Sequence, residues 1–75
     1  MVKFNLLEIV DGFYRYEVLP EGDVARREFF EFNPSTRELR RNAPPKYDFD
    51  YVSKCITNLN NEDGSLKENG QVAWY

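Results

Sequence analysis

Residues 2–19 read VKFNLLEIVDGFYRYEVL, and the Asp11-Gly12 pair at their centre decides the fold. Two runs rich in β-branched, aromatic and leucine residues flank it, and Asp-Gly suits a two-residue turn with positive φ at both central positions. A hairpin closed there sets Glu8 opposite Arg15, Ile9 opposite Tyr14 and Leu7 opposite Tyr16. One face then carries Leu7, Ile9, Tyr14, Tyr16 and Val18, and the other carries the Glu8–Arg15 pair. The same strict alternation sends Val2, Phe4, Leu6 and Leu19 to the second face.

Downstream, Pro20-Glu21-Gly22-Asp23 forms the next turn, and a third strand is expected over 24–32. Two registers compete for it. One pairs Glu17 with Arg26 and Arg15 with Glu28; the other pairs Tyr14 with Phe30 and Glu17 with Arg27, and a bulge near Arg26-Arg27 would reconcile them. Asn33-Pro34-Ser35-Thr36 is a type I turn sequence, and as a four-residue loop it sets Phe30 facing Leu39, with Phe29 and Arg40 sharing the opposite face. Pro44 and Pro45 end the sheet, because neither can donate to a ladder. Asp48 then caps a helix, with Tyr47 stapled onto Val52. Its buried stripe is Tyr51, Val52, Cys55, Ile56 and Leu59, while Asp50 precedes Lys54 by one turn as a weak ion pair. Residues 71–75 read as a terminal strand. The expected fold is α+β, a four- to five-stranded antiparallel meander with one helix packed on it, in the order β-β-β-β-α-β. Seventy-five residues make a single domain spanning 1–75.

Composition narrows the chemistry. The chain has no histidine, which removes the commonest general base and metal ligand. Its one cysteine, Cys55, allows neither an intrachain disulfide nor a cysteine-based zinc site. Twelve aromatics supply the large side chains that so short a chain needs for a core. The expectation is a non-enzymatic domain without cofactor or metal. Asn61-Glu62-Asp63-Gly64-Ser65-Leu66 resembles the middle of a calcium-binding loop, but Leu59 and Gly70 occupy the positions of its first and last ligands. Pro44-Pro45-Lys46-Tyr47 fits a polyproline recognition pattern, though turn and staple roles account for it locally. No apolar run is long enough to span a bilayer, and a cytoplasmic location is the default, in keeping with one free thiol.

Two binding surfaces are suggested. One helix covers one face of a sheet, so some of Val2, Phe4, Leu6, Leu19, Phe29 and Trp74 is expected to meet a protein partner or a second copy of the chain, a homodimer. The alternative is a nucleic-acid face on strands three and four, built from Arg26, Arg27, Phe29, Arg37, Arg40 and Arg41. Against it stand a net charge of −3 and the interleaved Glu28, Glu31 and Glu38.

Overall fold

A computed structural model describes residues 1–41 and 50–73. The hairpin forms where the Asp-Gly pair places it. Strand β1 (Val2–Val10) and strand β2 (Phe13–Pro20) are joined by Asp11 at φ 53° and Gly12 at φ 84°. Glu8 faces Arg15 and Ile9 faces Tyr14, as expected. Leu7 does not face Tyr16. The ladder slips between Leu6 and Glu8, so Leu6 is the partner of Tyr16 and Leu7 is the extra residue of a β-bulge.

That one-residue slip reverses the expected second face. Val2, Phe4 and Leu6 move to the side of Tyr16 and Val18, opposite Pro20, Val18 and Tyr16 respectively. Val2 and Phe4 are buried in the core, and Leu6 packs half-buried against it. The expected outward placement of Val2 and Phe4 is therefore corrected: they are core residues. Leu7 and Ile9 are left exposed instead.

The third strand starts later than expected. Asp23 accepts a hydrogen bond from the Ala25 N–H and caps a short 3-10 turn over Val24–Arg26, so strand β3 is Glu28–Phe32. Neither competing register holds. Tyr16 faces Phe30, Arg15 faces Glu31 and Tyr14 faces Phe32. Strand β4 (Leu39–Arg41) also pairs differently, with Phe32 facing Leu39 and Phe30 facing Arg41. The loop is two residues longer than a four-residue turn, because Asn33 uses its side chain on Ser35 and Thr36 and Arg37 adopts φ 65° before Glu38 closes onto Asn33.

Helix α1 spans Tyr51–Thr57, and its N-cap is Asp50, whose side chain accepts from the Ser53 N–H. Asp50 thus caps the helix instead of standing inside its first turn. Asp48 and Tyr47, the expected cap and staple, lie outside the described residues, as does the Pro44–Tyr47 segment. Strand β5 (Asn69–Val72) pairs with residues 2–5 of β1, and Trp74 and Tyr75 fall outside the described residues. The sheet order is β4-β3-β2-β1-β5, all antiparallel.

Helix α1 lies across β1, β2 and β5, burying Tyr51, Val52, Cys55 and the following Leu59 against Val2, Phe4, Tyr16, Val18 and Phe30. Tyr16 is the hub of this core. Its ring stacks on Phe30 at 5.1 Å and meets Phe4 edge-on at 6.0 Å, and its hydroxyl donates to the Lys67 carbonyl at 2.7 Å. Burial, with Tyr14 and Glu68 adding to it, pushes the Tyr16 phenol up to about 12. Burial likewise pushes the Cys55 thiol up to about 12, helped by Asp50 and Glu28.

Both groups are raised above their ordinary values of 10.0 and 9.0, so their protonated forms belong to the fold. Their stabilisation is full below pH 9.0 and is lost as pH rises toward about 12. Urea midpoints measured across that range should stay level to about pH 9 and then fall. Tyr16→Phe should cost about 1 kcal/mol at neutral pH, by orphaning the Lys67 carbonyl, and should flatten the part of the fall above pH 10.

Candidate functional site: the open face of the sheet

Side chains alternate across a strand, so every residue between two core positions on β2 and β3 points away from the helix. On β2 these are Phe13, Arg15, Glu17 and Leu19, and on β3 they are Phe29 and Glu31. Lys3, Asn5, Glu8 and Val10 join them from β1, and Arg40 from β4. Among the described residues no element packs on this face.

Its order is set by two kinds of contact. Arg15 bonds Glu8 at 3.1 Å, and Arg27 bonds Glu17 at 3.3 Å, with the Asn5 amide donating to the other Glu17 oxygen. The guanidinium groups of Arg15 and Arg27 also lie 5.9 and 5.2 Å from the Phe29 ring centre, so this ring sits between two cations. Arg40 lies over Phe13 at 3.9 Å. Each cationic head is thus held beside an aromatic ring, and the rings stay only half-buried.

A cross-strand row runs through the middle of the face. Glu8 is paired with Arg15, Arg15 with Glu31 and Glu31 with Arg40. Charge alternates at every strand. Two adjoining open depressions of about 480 and 400 Å³ share Arg15, Glu31 and Arg40 and divide along this row. Phe29 and Leu39 line the first, and Phe13 and Val10 line the second.

The residues expected to bind nucleic acid separate into four environments. Arg27, Phe29 and Arg40 meet on the open face. Arg26 belongs to the 3-10 turn and lies 5.6 Å from the centre of the Tyr51 ring. Arg41 points toward the helix end and donates to both oxygens of Asp50, at 3.1 and 3.0 Å. Partial burial pushes the Asp50 carboxyl up, but the Arg41 guanidinium and the Ser53 and Val52 N–H groups outweigh this and hold it below its usual range. Arg37 stands in the β3–β4 loop.

The residues expected to bind protein separate too. Val2 and Phe4 are core, Leu6 is at its margin, and Trp74 lies outside the described residues. Leu19 and Phe29 remain on the open face. Phe13 and Arg15 were not among the expected site residues, although the Glu8–Arg15 pair already placed Arg15 on that side of the hairpin.

Elsewhere, Cys55 is buried. The Asn61–Ser65 loop closes on itself: the Asp63 carboxylate accepts from both the N–H and the hydroxyl of Ser65, and these bonds lower its pKa. Among the described residues no group of three or more His, Cys, Asp or Glu is placed to hold a metal ion, and no helix is long and apolar enough to cross a membrane. Comparison with models of protein families, with curated proteins and with solved structures finds no match to the chain.

Proposed function

We propose that this chain is a non-enzymatic protein-interaction module whose contact surface is the open face of the sheet. The observation that carries the reading is the pair of half-buried rings, Phe29 between Arg15 and Arg27 and Phe13 under Arg40, on a face that no element among the described residues covers. Aromatic and arginine side chains are what protein interfaces enrich, and here cation–ring contacts hold them in place before binding. Two depressions flanking a charge-alternating row give a partner both anchor sites and a register. The lack of histidine and the buried, raised thiol of Cys55 argue against catalysis. A cytoplasmic setting suits a chain whose lone cysteine needs no oxidising compartment.

Nucleic-acid binding would use the same rings as stacking platforms. Glu8, Glu17 and Glu31 stand among Lys3, Arg15, Arg27 and Arg40, however, so the face offers a phosphate backbone little net charge.

A test compares the wild type with Arg15→Glu plus Arg40→Glu, both confirmed folded by circular dichroism. The wild type should retain a protein from its native lysate that the double variant loses. Retention of a single-stranded oligonucleotide by the wild type, weakening with salt and lost in the variant, would overturn the protein reading in favour of the nucleic-acid one. Equal retention of every protein by both forms would overturn the assignment to this face.

A further inference from the structure

Strand β1 is nine residues long, but β5 pairs only with residues 2–5 of it. The Leu6 N–H donates to the Glu68 carbonyl, and the chain that precedes β5 turns from there toward the core, where the Lys67 carbonyl meets Tyr16. Among the described residues no strand lies beside residues 7–10 on that side. This open edge carries Leu7, Ile9 and Val10, which are 49, 54 and 52% exposed and are three of the five exposed large apolar side chains among the described residues.

We propose that this edge pairs with the same edge of a second copy, antiparallel about a two-fold axis through Ile9. Three observations select a second copy and this register. First, the closing pair of the two-residue hairpin, Val10 and Phe13, is the hydrogen-bonded kind, so Ile9 directs its N–H and C=O away from β2. An extended strand answers those groups at the right spacing, and an exposed strand edge templates such pairing.

Second, the faces must match across the join. Ile9 shares the side of Tyr14 and Glu8 the side of Arg15, so residues of opposite sides cannot be partners. Pairing centred on Glu8 would set two carboxylates opposite each other. Pairing centred on Ile9 puts Ile9 on Ile9 and Glu8 beside Val10, an apolar centre with the carboxylates apart. Third, each Glu8 is already bonded to the Arg15 of its own chain at 3.1 Å, so the join brings no uncompensated charge together.

The contact is small. Three half-exposed side chains per copy bury well under the roughly 1,200 Å² of a standard interface, which makes the dimer weak and concentration-dependent. This goes beyond the open-face reading and uses the backbone edge of β1, which meets that face only at Glu8 and Val10. The two-fold axis stands perpendicular to the sheet, so it lays the two open faces side by side in one plane.

Sedimentation velocity from about 10 μM to 1 mM should show a mass rising from one chain toward two. Ile9→Lys and Val10→Glu, which sets a second carboxylate opposite Glu8, should each weaken association at least tenfold with an unchanged melting profile, whereas Phe29→Ala on the open face should leave it unchanged. In a mixed sample of isotope-labelled and unlabelled chains, filtered spectra should show contacts between Ile9 methyl groups of different copies. A one-chain mass across the whole range overturns the proposal. So does a dimer that Ile9→Lys leaves intact, or one that lacks the Ile9–Ile9 contact.

Discussion

Gly70→Ala should destabilise the fold by about 2–3 kcal/mol, a large share of what so short a chain can muster. Gly70 faces Phe4 across the β1–β5 ladder, and the tip of the Phe4 ring occupies the space a side chain at Gly70 would need. A Cβ at Gly70 would stand 2.5 Å from the ring Cζ and 2.8 Å from Cε1. The ring has nowhere to go. Phe4 is 1% exposed and meets Tyr16 edge-on, so moving it disturbs the hub of the core. Glycine weakens a strand on conformational grounds, and an aromatic ring packed over it restores what is lost. The pair therefore acts as one unit. Phe4→Ala should cost about 3–5 kcal/mol by opening a cavity beneath the helix. Phe4→Leu lacks the atoms that clash, so combined with Gly70→Ala it should cost less than the two changes added, with a coupling of about 1 kcal/mol. Urea midpoints of the four proteins in this cycle give the answer. Strict additivity would mean that Gly70 matters for another reason.

Asp50→Ala should cost about 2 kcal/mol, because one carboxylate performs two tasks. Loss of the helix cap contributes about 1 kcal/mol, and loss of the half-buried bond to Arg41 a similar amount after allowance for its exposure. Asp50→Asn keeps a capping oxygen and loses the charge, so it should fall between wild type and alanine. Arg41→Ala should match it, since both remove the same pair. The carboxyl pKa is lowered by folding, so its stabilisation is full above the ordinary value of 3.8 and disappears as pH falls through the lower folded value. The margin of wild type over Asp50→Asn should accordingly close below about pH 4 in thermal melts. An unchanged margin at pH 2.5 would remove the charge pair from the account.

The sequence exposes the hairpin because turn chemistry and alternation agree over residues 8–15: Asp11-Gly12, the Glu8–Arg15 pair and Ile9–Tyr14 all point to one register. It conceals the rest of β1 because alternation was carried through Leu6-Leu7 unbroken. Two adjacent leucines, Leu6 and Leu7, after apolar residues at 2 and 4 and before one at 9, mark the change of phase, and a bulge is its structural meaning. In β3 the local capping of Val24–Arg26 by Asp23 competes with strand extension and wins, which no cross-strand charge pairing reveals. The open face was legible in part. Phe29, Arg27 and Arg40 could be read from strands three and four, but the share of β2 depends on which apolar set the helix covers. That choice is made by the packing of Tyr51, Val52, Cys55 and Leu59, and it depends in turn on the Leu7 bulge.

The bulge also makes β1 unevenly tolerant of length change. Without Leu7, Leu6 would still meet Tyr16 and Glu8 would still meet Arg15, now in an unbroken ladder, so the core and the charged row would both keep their members. Loss of Lys3 or Asn5 has no such remedy, because it inverts every residue before it against Pro20 and Val18. A family descended from this chain could therefore shed one residue at position 7 and nowhere else along the strand. Aligned by eye, its members would show a gap inside a β-strand where gaps are least expected.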